Sequence, residues 1–112
     1  MANRPIHITG IESDGSLILS DNGQTNVDPG DTVTWIIDNG SGVAAITGIE
    51  NSGPDDVFAP NDPAPVGSSS NWRGTVNPEI PPNSEENYII NYTRKNGRGS
   101  GSFDPKIQVN PR

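Results

Sequence analysis

The chain has 112 residues, and its 14 acidic and seven basic side chains give a net charge of −7 at pH 7. This balance argues against phosphate-backbone recognition, which needs clustered Lys and Arg, and against anionic membranes, so neither nucleic acid nor membrane is expected as a partner. The absence of cysteine excludes disulfides and every thiolate metal site. The length is that of one domain, spanning residues 1–112.

The 13 glycines and 11 prolines interrupt every window in which a helix could form, so at most one short helical turn is expected. Strand patterns recur instead. Near the N-terminus, Ile6 and Ile8 share one face of an alternating run, and Ser13–Gly15 predicts a turn into a second short strand. The chain shows no signal peptide and no run near the roughly 18 apolar residues of a membrane-spanning helix, which leaves the cellular compartment open.

The most regular strand follows a Pro-Gly turn at Asp28–Asp31. Val33, Trp35 and Ile37 alternate along it and are predicted to face the core. A turn at 39–42 leads to the next strand, VAAITGI.

Alternation is then lost from Glu50 to Trp72, over about 20 residues, which is longer than an ordinary connection. We therefore predict an insertion loop with a functional role in this range. A short strand is expected to follow it at Trp72–Val76.

Two strands close the chain, joined by a Gly-rich hairpin loop at 94–102. Tyr88, Ile90 and Tyr92 share a face of the first strand, and at least one of these tyrosines should be buried with its hydroxyl bonded. The packing face of the second strand is formed by Phe103, Ile107 and Val109. About seven short strands at this spacing predict an all-β fold, a two-sheet Greek-key β-sandwich.

Four segments carry a resemblance to cupredoxins of the plastocyanin and amicyanin type. In that family a turn leads into a TV-x-W strand, and a Y-x-Y/F-x-C strand is followed by a ligand-bearing loop and a G-x-I-x-V strand. The matching segments here are VDPGDTVTWI (27–36), INYTR (90–94), KNGRGSGSF (95–103) and PKIQV (105–109). The resemblance covers Val27–Ile49 and Tyr88–Asn110 and implies a cupredoxin-like fold. An immunoglobulin-like sandwich shares the strand tryptophan and the alternation, and is the alternative fold.

The same resemblance shows which copper ligands this chain lacks. A type 1 copper site needs a thiolate, two imidazoles and a weak axial ligand. The resemblance puts Arg94 at the cysteine position and the first histidine near Gly42 or Val43, and the 95–103 loop contains neither His nor Met. Blue-copper electron transfer is therefore excluded, and no cofactor is expected.

The inventory of catalytic groups is also small. His7 is the only imidazole, and no local pattern supplies a nucleophile or an orienting carboxylate for it. There is no G-x-S-x-G elbow. We expect a solvent-facing strand histidine, no catalytic residue and no enzyme activity.

The insertion loop carries Asp55, Asp56 and Asp62, oxygen ligands of the type that Ca²⁺ requires. Their spacing matches no EF-hand, and a solvated acidic loop is the competing interpretation. These three residues are the candidate metal ligands.

Four further residues are candidates for ligand binding. Trp72 could stack on a sugar ring or anchor in a partner's pocket, beside Arg73, although a thin core often uses such a tryptophan as a lid. Arg94 and Arg98 concentrate positive charge in the Gly-rich loop and could meet an anionic ligand. The predicted binding surface is one loop end that combines Glu50–Trp72 with the 94–101 loop.

Together these patterns predict a non-catalytic, copper-free binding or interaction module with an unknown protein or glycan partner, acting as a monomer. One alternative is a carbohydrate-binding or adhesive module with a Ca²⁺ loop. The other is a purely structural domain.

Overall fold

The computed structural model describes residues 3–21, 23–58, 62–67, 70–97 and 99–111. The strands in these ranges are β1 (Asn3–Ile11), β2 (Leu17–Leu19), β3 (Gln24–Val27), β4 (Thr32–Ile37), β5 (Val43–Pro54), β6 (Ala64–Pro65), β7 (Trp72–Thr75), β8 (Glu85–Arg94), β9 (Ser100–Phe103) and β10 (Lys106–Val109). The described residues contain one 3-10 turn, at Lys95–Gly97, which agrees with the expectation of at most one short helical turn. Within these ranges, no helix is long and apolar enough to cross a membrane.

The strands form two mixed sheets. Sheet I has the order β2-β1-β4-β7-β6, and sheet II has the order β3-β10-β8-β5, with β9 also paired to β8. The β1/β4 and β3/β10 pairs are parallel, and the other pairs are antiparallel. The fold is therefore all-β and sandwich-like, as predicted.

One hydrophobic core takes side chains from both sheets. Ile6, Ile8 and Trp35 from sheet I are fully buried, together with Tyr88 and Tyr92 from sheet II. These are the faces that the period-two alternation predicted. On β1 and β8 the neighbouring residues are partly or fully exposed, which is the pattern of a sheet with one face in the core.

The centre of this core is an aromatic contact between the sheets. Trp35 Nε1 donates a hydrogen bond of 3.1 Å to the Tyr88 hydroxyl, and their rings meet edge to face at 5.6 Å. Phe58 meets the Trp35 ring edge to face at 5.7 Å. The prediction of a buried, bonded tyrosine is thus confirmed.

The turn before β4 is held by a buried carboxylate. Asp31 is 2 % exposed, and its Oδ2 accepts hydrogen bonds from Arg4 Nε at 2.8 Å and from the Asp28 backbone amide at 2.9 Å. Gly30 supplies the positive φ, 85°, that the turn requires. The Pro-Gly turn therefore fixes where β4 enters sheet I.

Two loops are shorter in the structure than the sequence predicted. Residues 50–54 continue β5, and Ala64–Pro65 pair with β7, so the Glu50–Trp72 insertion is interrupted by regular structure. The alternation failed there because β5 shifts register between Ile46 and Gly48 and again between Asn51 and Gly53. The 94–102 loop is shorter for a similar reason, since Arg94 belongs to β8 and Ser100–Phe103 form β9.

A second tyrosine joins β8 to the β1–β2 turn. The Tyr92 hydroxyl donates to the carbonyl of Gly15, and it crosses β9 at Gly101, its register partner. A Cβ on Gly101 would lie 2.6 Å from the Tyr92 hydroxyl oxygen. The absence of a side chain at position 101 is therefore a condition for this contact.

Gly101→Ala is expected to lower the free energy of unfolding by about 1–3 kcal/mol, since Tyr92 must move or strain. Urea unfolding measures the change. Gly48→Ala is the matched control, because the nearest atom to its Cβ would be Asn91 Nδ2 at 3.7 Å, an ordinary contact. Equal stability of the two variants would contradict the role of Gly101.

Candidate functional site

A groove of about 470 Å³ lies at the β6–β7 edge of sheet I. We call it the edge groove. Two charged side chains, Arg73 and Asp62, line it together with Gly74 and Thr75. Its apolar walls are formed by Phe58, Ala64, Pro65, Val66, Val76 and Pro78.

The groove owes its shape to a glycine in β7. A Cβ on Gly74 would lie 2.8 Å from Phe58 Cδ1 and 3.0 Å from Pro63 Cγ. Phe58 and Pro63 can therefore pack directly on the β7 backbone. The Phe58 side chain, which is 1 % exposed, forms the floor of the groove.

The segment 55–58, which carries that floor, is tied to β8 at two points. Asp55 and Glu85 exchange bonds, since the Asp55 amide donates to the Glu85 carbonyl at 3.1 Å and Asp55 Oδ2 accepts from the Glu85 amide at 2.9 Å. Glu86 Oε1 accepts a hydrogen bond of 2.8 Å from the Val57 amide. The floor is thus fixed by backbone bonds as well as by apolar packing.

Glu86 is an inward-facing carboxyl, 2 % exposed, on the same face of β8 as Tyr88. Burial raises the pKa of Glu86 from 4.5 to about 7, because water no longer stabilises the charged form. The amides of Val57 and Phe58 oppose this shift, whereas the negative charges of Asp56 and Asp62 add to it.

The two charged groups of the groove are free to meet a partner. Arg73 and Asp62 are both exposed, and within the described part of the chain neither takes part in an ion pair. Ala64 is the register partner of Arg73, and Asp62 lies two residues before Ala64. The positive and negative charges are therefore offset along the groove.

The structure separates the other residues predicted for this site. Trp72 is partly buried against the core, which is the position of a lid, and it does not line the groove. The carboxylate of Asp55 binds the Glu85 amide, while Asp56 is exposed. Among the described residues, no three His, Asp or Glu side chains are grouped so that they could hold a metal ion. The calcium site stays a prediction from the sequence.

The structure does not bring the start of the insertion and the 94–101 loop together at one end of sheet II. In the β5/β8 pair, Val43 lies opposite Arg94, whereas Pro54 lies opposite Glu86. Eight residues of β8 separate these points, or about 26 Å at a strand's rise per residue. The 94–101 loop and the start of the insertion therefore lie at opposite ends of sheet II, and Arg98 lies outside the described residues.

Arg94 has a distinct environment at its own end. Its Nε is buried, with no hydrogen-bond acceptor among the described residues. Its Nη2 is 3.2 Å from the position that a Cβ on Gly15 would take. The guanidinium thus lies against the β1–β2 turn.

The sequence interpretation missed the two residues that build the groove floor, Phe58 and Glu86. Both had a signal. Glu86 falls on the inward parity of Tyr88, Ile90 and Tyr92, and Phe58 belongs to an apolar Val-Phe pair within an otherwise polar loop.

Glu86→Gln should change the pH dependence of stability. A folded pKa above the ordinary value means that the stability from this group is fully present below pH 4.5 and is lost as the pH rises through 7. Glutamine stays neutral, so the variant should match the wild type near pH 4.5 and be more stable at pH 8, by up to about 3 kcal/mol. Urea unfolding at the two pH values measures this difference.

Glu79→Gln is the control for the loss of one negative charge, because Glu79 is exposed. It should shift stability by less than about 0.5 kcal/mol at either pH. A Glu86→Gln protein that is destabilised more at pH 8 than at pH 4.5 would show that the carboxylate is needed in its charged form.

Comparison with known proteins supplies no relative from which a site could be transferred. No protein-family model matches the chain, and no curated protein matches its sequence. The function is therefore inferred from the geometry and charge of the edge groove.

Proposed function

We propose that the protein is a non-catalytic, copper-free binding module on a cupredoxin-like scaffold, and that it binds a protein partner through the edge groove. The observation that carries this proposal is the combination of a fixed apolar floor with two exposed charges of opposite sign, which form no ion pair with any described residue. Apolar walls with a few placed polar groups are typical of binding sites. A rigid floor lowers the entropic cost of binding.

The register of β5 and β8 supports the cupredoxin-like, Greek-key assignment. The sequence resemblance puts two copper-ligand positions near Val43 and at Arg94, and these two residues are cross-strand partners. In addition, the resembling segments contribute β4, β5, β8 and β10, whose inward side chains share one core. The scaffold is thus proposed to keep the arrangement of the ligand positions without the ligands.

One observation bears on the non-catalytic part of the proposal: among the described residues, the His7 ring is hydrogen-bonded to a carboxylate and to no hydroxyl group. Its Nδ1 lies 2.7 Å from Asp38 Oδ1, on the half-exposed outer face of β1. The neighbouring Ser20 hydroxyl accepts a hydrogen bond from the His7 backbone amide. The Ser20 hydroxyl therefore takes part in the pairing of β1 with β2 and does not bond the His7 ring.

Selection from a random heptapeptide library displayed on phage tests the proposal. We expect enriched peptides that lose at least tenfold in affinity for Ala64→Trp, because the indole fills the groove, a loss of about 1.4 kcal/mol. Ala44→Trp is the matched control, since Ala44 is exposed on β5. Absence of enriched peptides, or equal binding by both variants, would overturn the edge groove as the binding surface.

Thermal unfolding with metals tests the copper-free assignment. A metal that binds only the folded state at 100 times its Kd would add about 2.7 kcal/mol and raise Tm by several degrees. We expect Tm in EDTA and in Cu²⁺ to agree within about 1 °C. A rise in Tm with Cu²⁺ would contradict the assignment, and a rise with Ca²⁺ that Asp62→Asn abolishes would support the calcium loop.

A further inference from the structure

We infer that the edge groove recognises a peptide segment in which an apolar anchor residue stands between an acidic and a basic residue. This inference rests on the proposed function and names the chemistry of the partner. Three features of the groove support it: the walls, the edge strand and the pair of charges.

The walls call for an apolar anchor. The exposed apolar residues around this space of about 470 Å³ are Ala64, Pro65 and Pro78. Prolines in the walls have fixed φ angles, so little backbone entropy is lost when the groove is filled. An apolar side chain that enters this space is removed from water and packs against surfaces that are already ordered.

The edge strand favours recognition through side chains. β6 contains only Ala64 and Pro65, and Pro63 precedes it. Two of these three residues lack an amide hydrogen, so a partner strand would find few donors along this edge. A peptide added as a further strand is therefore disfavoured, and the bound segment must be held by its side chains.

The two charges define the residues that flank the anchor. Arg73 offers a planar pair of donors to a carboxylate, and Asp62 offers two acceptor oxygens to an ammonium or guanidinium group. They are offset along the groove. An acidic residue on one side of the anchor and a basic residue on the other would place each charge beside its opposite.

A peptide fits the lining better than a sugar does. Sugar recognition in proteins uses the open face of an aromatic ring. Phe58 is the aromatic residue of the described lining, and it is 1 % exposed, so its face is covered. Trp72 packs against the core outside the groove.

The experiment is a charge reversal with the same heptapeptide library as probe. Wild-type protein should enrich peptides with an apolar residue flanked by Asp or Glu on one side and by Lys or Arg on the other. The Arg73→Glu/Asp62→Lys variant should enrich peptides in which the order of the two charges is reversed. Wild-type peptides should bind that variant roughly fivefold or more weakly, and 0.5 M NaCl should reduce the difference.

Lys95→Glu is the matched control, because it reverses one exposed positive charge at the other end of the protein. It should leave both the consensus and the affinity unchanged, and unfolding midpoints confirm that all variants fold. Enriched peptides that bind the Ala64→Trp variant more weakly, but show no preference for charged residues beside the anchor, would overturn this inference and leave the proposed function intact. Failure to enrich any peptide would overturn both.

Discussion

The hydrogen bond between Trp35 and Tyr88 is the constraint on which the rest of the structure depends. It joins the centre of sheet I to the centre of sheet II at 3.1 Å, in a core where both side chains are fully buried. An indole N–H without an acceptor in that position would cost about 1–3 kcal/mol. Burial also raises the pKa of Tyr88, so its hydroxyl stays neutral and accepts the bond at any physiological pH.

This contact also determines where the edge groove forms. Phe58 packs on the ring of Trp35 and on the backbone of Gly74, so the inter-sheet core and the groove floor share one side chain. Glu86 then holds the amide of Val57, directly before Phe58. A buried carboxyl beside two other acidic side chains is unfavourable on its own, and its hydrogen bonds to the loop are what make the position tolerable.

The regular part of the fold could be predicted because its strands alternate strictly. Ile6, Trp35 and Tyr88 face the core as the period of two requires, and the turn at Asp28–Asp31 begins β4 where expected. The continuation of β5 could not be seen, since each bulge inserts a residue and inverts the parity of the residues after it.

The candidate site was harder to predict than the fold. Arg73, a predicted ligand-binding residue, lines the edge groove, whereas Trp72 packs against the core. Local sequence shows that a loop is acidic or aromatic. It does not show which end of a strand the loop contacts. In the folded protein, Asp55 lies beside Glu85 and far from Arg94. The groove exists because Gly74 lets two distant residues approach, which is a property of tertiary packing.

The two ends of the protein differ in which groups lack a partner among the described residues: the buried Nε at the Arg94 end, and the exposed charges of Arg73 and Asp62 at the edge groove. At the Arg94 end, the backbone closes on itself, since the Arg94 amide bonds the Gly99 carbonyl at 2.8 Å and the Lys95 amide bonds the Gly42 carbonyl at 2.9 Å. Those bonds hold the Gly-rich loop and the turn before β5 against the end of β8. At the edge groove, hydrogen bonds between the 55–58 segment and β8 hold the floor, while Arg73 and Asp62 form no ion pair within the described part of the chain. Exposed opposite charges beside an apolar surface select a partner that supplies both complements, and for this reason we propose the edge groove as the binding surface.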